Sequence, residues 1–297
     1  MSGGRAIDKV IGALPSVDGA GVKLNRVFGF DELHTFDPFL LLDHFGSDNP
    51  DDYLAGFPWH PHRGIETVTY LLAGKVAHGD SMRNKGTIYP GDAQWMTAGS
   101  GIIHQEMPEP GADGRLMEGF QLWVNLPASL KMTTPRYRAV NASEIHRVKE
   151  SGCEIAILAG SYAGKTGATP DLFVPVLYLI VTMEPDAKIR LPIPASHNAA
   201  AYVFRGKADF AGTRLESGML GHFPAAGDVV TAAGSTDFVE AKTDKTTGAS
   251  FLFIAGRPLN EPIAWGGPIV MNTRDELRKA FAEFDAGTFI KTKAGGI

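Results

Sequence analysis

Residues Phe57 to Gly74 read FPWHPHRGIETVTYLLAG. The second half of this stretch is a strand pattern: Glu66-Thr-Val-Thr-Tyr-Leu-Leu72, rich in β-branched and aromatic residues, closed by Gly74. The same pattern returns. Val68-Thr-Tyr-Leu-Leu72 followed by Ala73-Gly-Lys-Val76 lies over Ala200-Ala-Tyr-Val-Phe204 followed by Arg205-Gly-Lys-Ala208, at a shift of 132 residues. Pro90-Gly-Asp92 lies over Ala226-Gly-Asp228 at a shift of 136, each at an expected tight turn. The chain therefore reads as two copies of one β-unit.

Other short strands fill both copies: Gly119–Asn125, Glu154–Leu158, Val176–Thr182 and Ala249–Ile254. With 35 glycines and 19 prolines punctuating the chain, many short strands argue for an all-β sandwich or barrel. A doubly wound sheet needs helices between its strands, and no such pattern occurs. One helix is predicted near the C-terminus. Thr273-Arg-Asp-Glu276 forms a capping box, Leu277, Ala280, Phe281 and Phe284 repeat at helical spacing, and Gly287 supplies a stop. The seam between the copies falls between Asn125 and Pro175. We place it after residue 130, giving domains 1–130 and 131–297.

Composition limits the function. The chain has 297 residues, 44% of them apolar, with a formal net charge of −5 and no Lys/Arg stripe of the kind nucleic acid requires. No apolar run approaches a membrane span, and no secretory apolar core follows Met1. The single cysteine, Cys153, excludes an intrachain disulfide and a thiolate metal cage, and is expected to be buried rather than catalytic. A cytoplasmic location is expected.

The polar residues of the first copy stand out against this background. His60 and His62 are two positions apart, so a strand places them on one face. His104 and Glu106 form a second such pair. Two pairs on neighbouring strands could converge on one point. Imidazoles with a carboxylate make a mononuclear site for a divalent first-row metal, with positions left open. Iron(II) is the first choice; nickel, manganese, cobalt, copper or zinc also suit these donors, although structural zinc usually takes cysteine. In the second copy the repeat sets Pro192, Pro194 and Asn198 against His60, His62 and Glu66, and Glu240 and Lys242 against His104 and Glu106. Restriction to one copy favours function over folding. The remaining histidines, including His44, His78 and His222, are expected to serve surface or core packing.

His60-Pro-His-Arg-Gly-Ile-Glu66 with Gly74 resembles the first motif of cupins. The run from Pro90 to Met107, PGDAQWMTAGSGIIHQEM, more closely resembles the pirin family. Asp37–Leu40, Leu42-Asp43, Gln121–Leu126 and Pro262–Pro268 extend that resemblance over almost the whole chain. It implies a bicupin: two jelly-roll β-barrels face to face with a C-terminal helix, metallated only in the N-terminal barrel. Carried over residue by residue, the ligands it implies are His60, His62, His104 and Glu106. Glu66, a ligand position in many other cupins, shares the face of His60 and His62 if the strand runs straight; Gly64 can break that, so Glu66 is left outside the ligand set as an acid/base candidate or, equally, as a buried hydrogen-bonded carboxylate.

Bacterial pirin-like proteins are associated with quercetin 2,3-dioxygenase activity. The resemblance thus implies an enzyme that takes a flavonol and O2, opens the central ring and releases CO, with Glu106 or Glu66 as base. Phe57, Trp59, Trp95, Met96, Phe120 and Trp123 are candidate walls for a flat ligand, half of them belonging to ordinary barrel core. The alternative is a metal- or redox-sensing partner of other proteins, such as transcriptional regulators, in which Arg63 contributes to a binding surface. No direct contact with nucleic acid or membrane is expected in either case, and the chain is expected to be a monomer.

Overall fold

The computed structural model describes residues 4–110, 116–225 and 236–291. β1 (Lys9–Gly12), β2 (Leu14–Asp18), β3 (Val22–Phe28) and β4 (Phe39–Ser47) come first. β5 (Phe57–His62), β6 (Ile65–Ala73), β7 (Lys75–Asp80), β8 (Lys85–Ile88), β9 (Ala93–Thr97), β10 (Ile102–Glu109) and β11 (Met117–Asn125) complete the first copy. β12 (Arg136–Val140), β13 (His146–Glu150), β14 (Cys153–Ala159) and the short hairpin β15 (Ser161–Tyr162) and β16 (Lys165–Thr166) follow. Next come β17 (Val176–Met183), β18 (Lys188–Pro194), β19 (Asn198–Phe210), β20 (Thr213–Glu216), β21 (Met219–Phe223), β22 (Thr236–Lys242) and β23 (Ala249–Gly256). The chain ends with the hairpin β24 (Ala264–Gly266) and β25 (Ile269–Met271), and helix α1 (Arg274–Asp285).

These elements form two compact units, each a double sheet of antiparallel strands. In the first, a seven-stranded sheet of order β12-β9-β6-β11-β4-β3-β2 accompanies a four-stranded sheet of order β5-β10-β7-β8. In the second, β1-β21-β19-β23-β17-β14-β13 form the larger sheet, while β18, β22 and β20 continue along the far half of β19. The repeat seen in the sequence is a repeat of pairings. β6 is flanked by β9 and β11 as β19 is by β21 and β23, and β10 pairs β5 as β22 pairs β18. Gly74 and Gly206 both adopt positive φ, +82° and +69°, where each strand bends from one sheet to the other. The turn Pro90-Gly91-Asp92 forms as expected, with Gly91 at φ +88°. Its counterpart, Ala226-Gly-Asp228, lies outside the described residues.

The unit boundaries are not a single cut. Residues 4–13 and 34–38 belong with 143–258, whereas 14–33, 39–142 and 259–291 form the other unit. Residues 131–142 and 259–291, assigned from the sequence to the second domain, thus pack with the first copy. The helix is as expected: Thr273 Oγ1 caps the Glu276 amide, the Glu276 side chain returns to the Thr273 amide, and Gly287 at φ +69° follows the last turn. Ala280 is its buried residue, packed with Ile269, Met271 and Phe289. The second unit encloses a continuous apolar core that includes Leu179, Ala201, Phe210, Phe223 and Phe253. In the first unit, Leu71 with Val76 and Met117, Ile65 with Met96 and Ile102, and Ile269 with Ala280 and Phe289 form separate apolar clusters, and the unit holds a cavity.

Candidate metal centre

β5 is an edge strand of the four-stranded sheet, which is why Pro58 and Pro61 are tolerated there. Its alternation sends His60 and His62 the same way, and the pairing with β10 sets His104 directly opposite His60. A bulge then places Phe57, rather than Pro58, opposite Glu106. The three imidazoles converge, with one ring nitrogen from each within 4.8 Å of the others.

Hydrogen bonding fixes what those nitrogens can do. His60 Nδ1 lies 2.8 Å from the Pro58 carbonyl oxygen and His62 Nδ1 3.1 Å from that of Pro268. A carbonyl only accepts, so both Nδ1 atoms carry the proton and donate. The two Nε2 atoms, 3.1 Å apart, then face each other as lone pairs. His104 is fully buried with neither ring nitrogen hydrogen-bonded. Burial, reinforced by neighbouring imidazoles, pushes His62 and His104 well below the usual histidine range, so protons are disfavoured as the remedy. Neutral imidazoles with converging, unpartnered lone pairs are the donor set of a divalent transition metal.

Glu106 stands in the same cavity but outside that mutually close trio. Its Oε1 lies 2.9 Å from Thr69 Oγ1 and accepts a 3.1 Å hydrogen bond from Gln94 Nε2. Glu66 is elsewhere. Gly64, at φ +77°, makes a turn between β5 and β6 and resets the alternation. Thr69 meets Glu106, so Glu66 lies on the opposite face of β6, where Thr97 Oγ1 donates to it at 2.6 Å. Burial raises its carboxyl above the usual range, against the opposing Thr97 hydrogen bond. Glu66 does not line the cavity. The strand does not run straight through Gly64, so Glu66 does not share a face with His60 and His62 and is a buried, hydrogen-bonded carboxylate.

The C-terminal segment braces the first histidine pair. Besides the Pro268 carbonyl, the Val270 amide donates to Arg63 O at 3.0 Å. The buried Arg63 side chain donates to Ser100 O, Phe289 O and Glu283 Oε2, each at 2.8 Å, and lies over the Phe289 ring. It is committed inside the unit, not displayed on a surface. A Cβ on Gly64 would stand 1.9 Å from Val270 O, so only glycine fits that turn. Buried Lys131 donates to Gly64 O at 2.9 Å and Asn125 Oδ1 at 2.6 Å, and burial lowers its ammonium to about 7. His78, expected to be simple packing, stacks on Tyr137 and its ring lies 5.5 Å from that of His104. These partners come from distant segments; only the alternating polar positions Thr69 and Gln121 were open to a local reading.

The cavity reaching His60, His62 and Glu106 has a volume of about 740 Å³. Phe57, Trp59 and Trp123 line it, joined by Phe45 and Trp265. Trp95, Met96 and Phe120 belong to the core. Among the described residues, the three-histidine group is the one cluster suited to a metal ion. In the second unit, Pro192 stands opposite Phe238, while Glu240 pairs with Lys188, Arg190 and Lys242. Cys153 is buried, its thiol pushed up to about 11 by desolvation.

Two cupin domains, one with a metal-type histidine cluster at a deep cavity, define a bicupin. The chain belongs to the pirin family: the pirin model matches residues 21–124 and the pirin C-terminal cupin domain model residues 178–290. A pirin-like protein of Caulobacter vibrioides is 42% identical over 287 residues, covering 96% of this chain and 99% of that one. The crystal structure of a quercetin 2,3-dioxygenase from Acinetobacter baumannii superposes with a TM-score of 0.86 at 34% identity, covering 96% of this chain and 98% of that one. A bacterial pirin from Escherichia coli, solved in complex with nickel(II), shares the fold at a TM-score of 0.62 and 20% identity, over 84% of this chain and 98% of that one.

Proposed function

We propose that the protein is a metal-dependent dioxygenase that opens the central ring of a flavonol such as quercetin with O2 and releases CO. The observation that carries this reading is the three-imidazole cluster at a cavity walled by Phe45, Phe57, Trp59, Trp123 and Trp265. A flat aromatic ligand suits such walls. The likeness to a quercetin 2,3-dioxygenase of known structure supports the same substrate class.

His60, His62 and His104 would hold the metal through the nitrogens that lack hydrogen-bond partners in the protein, with Glu106 as the fourth ligand or the base. Iron(II) is the metal we favour; nickel, manganese, cobalt, copper and zinc suit the same donors. When bound, the metal supplies Lewis-acid stabilisation of an anionic substrate oxygen. Glu106 takes the proton from the flavonol 3-hydroxyl: Thr69 and Gln94 meet its Oε1, leaving Oε2 to accept. Glu66, on the far face of β6, takes no part. The aromatic walls exclude water and offer apolar faces to the ring. O2 adds across C2 and C4 of the deprotonated flavonol, the C2–C3 and C3–C4 bonds break, C2 becomes an ester carbonyl and C4 a carboxylate, and C3 leaves with its own oxygen as CO.

The test is aerobic turnover by protein loaded separately with iron, nickel, manganese and copper, following flavonol absorbance and CO. Metal-dependent loss of quercetin with CO release, abolished in His62→Ala and Glu106→Ala, is expected. Metal binding without turnover at any loading overturns the dioxygenase reading.

A further inference from the structure

The lumen of the first unit carries one continuous polar row across an otherwise apolar wall. Gln94 of β9 is the cross-strand neighbour of Thr69 on β6, Thr69 of Gln121 on β11, Gln121 of Asp43 on β4, and Asp43 of Arg26 on β3. Directly opposite residues share a face. Arg26, Asp43, Gln121, Thr69 and Glu106 all line the cavity. The row is linked along much of its length. Thr69 Oγ1 lies 2.9 Å from Glu106 Oε1 and 2.6 Å from Gln121 Oε1, and Arg26 grips Asp43 through two bonds of 2.9 and 2.8 Å. On one side of it runs the apolar row Leu24, Phe45, Gly119 and Leu71; on the other stand Leu41 and Trp123.

Such a row is costly for a barrel that needs only to fold. Asp43 is 4% exposed, and desolvation raises its carboxyl above the usual range despite Arg26. The second unit manages without one: the corresponding neighbours Ala201 and Phe253 join its continuous core. The row starts at Glu106, beside the histidine cluster, and ends at the cavity wall where Arg26 also meets Asp18 at 2.8 Å. At about 4.8 Å per strand, Thr69 and Asp43 are separated by about 10 Å.

We infer that Asp43 and Gln121 determine substrate specificity by hydrogen-bonding the distal hydroxyls of a flat aromatic ligand whose other oxygens sit at the histidine cluster. The inference rests on the flavonol reading of that cavity. Asp43 keeps lone pairs beyond those engaged by Arg26, so it accepts from a hydroxyl. The charges at the distal end of the cavity are Asp18 and Asp43 against Arg26. The distal end therefore selects a neutral hydroxylated ring and rejects a carboxylate. A ligand without distal hydroxyls leaves the buried row unpartnered on its cavity side, and that is the source of discrimination.

The experiment measures binding of quercetin and of 3-hydroxyflavone, which lacks every distal hydroxyl, to metal-loaded protein without O2, by quenching of the cavity tryptophans. In Asp43→Asn and in Gln121→Met the ratio of the two dissociation constants should move about tenfold against quercetin, with 3-hydroxyflavone affinity and metal content unchanged. A ratio that stays within twofold of the native value in both variants overturns the inference. Should Asp43→Asn fail to fold, Gln121→Met decides alone. Turnover in air is scored separately. A shifted ratio without ring opening supports the specificity row and overturns the dioxygenase. Ring opening with an unshifted ratio does the reverse.

Discussion

At the scale of single residues, the geometry turns on which nitrogen of each imidazole carries its proton. The carbonyls of Pro58 and Pro268 set Nδ1 of His60 and His62 as donors, so the converging Nε2 atoms could take a metal ion without rearrangement. His104→Ala should abolish stoichiometric metal binding, read by elemental analysis after gel filtration, while the protein still folds. Glu66→Gln should keep kcat/KM within about threefold of the native value, because its carboxyl turns away from the cavity; a loss of 100-fold or more would place Glu66 back in the reaction. Lys131 makes a pH prediction. Its folded-state value of about 7 lies below the ordinary lysine value of 10.5. Between those values the unfolded chain binds one more proton than the folded one, so this group makes stability rise with pH through that window, by up to about 1.4 kcal/mol per pH unit. Below pH 7 both states are protonated and the slope vanishes. Urea unfolding at pH 7, 8 and 9 should show the rise in the native protein and a flatter profile in Lys131→Met.

Among the elements, the strands were readable because alternation and turn residues are local signals. The repeat at Gly74 and Gly206 was readable because both copies need a positive φ at the same bend. The two histidine pairs followed from strand parity within β5 and within β10. Parity failed for Glu66 because Gly64 separates two strands rather than kinking one. The gapped alignment of the copies failed similarly: it set Glu240 against His104, whereas the register puts Phe238, not Glu240, opposite Pro192. The return of residues 259–291 to the first unit was invisible, since nothing in that segment's own pattern names its partner. Yet this segment supplies the Pro268 carbonyl, the Val270 amide and the Glu283–Arg63 pair. Arg63→Met should therefore destabilise by about 3 kcal/mol, since it leaves the Ser100 and Phe289 carbonyls and Glu283 without their buried donor. Thr273→Ala, which removes only the helix cap, should cost about 1 kcal/mol. Denaturant midpoints at constant m distinguish the two.

For the whole molecule, the two copies differ in what their interiors hold. The second unit fills its interior with side chains such as Phe210, Phe223, Phe251 and Phe253. The first leaves about 740 Å³ open and buries Glu106, Asp43, His62 and His104 around it. Buried polar groups and an open cavity both reduce the net gain from folding. A bound metal restores part of that deficit by mass action, about 2.7 kcal/mol at a hundredfold excess over its dissociation constant. The gain should be local, because all three histidines belong to one unit. Amide hydrogen exchange with and without metal should show increased protection on β5, β10 and the β24–β25 hairpin, which are tied together through His60, His62 and Pro268. Protection of β17, β19 and β23 should be unchanged. Equal gains in both units would mean that the two copies share one cooperative unfolding event, and that the difference between their interiors does not extend to their stabilities.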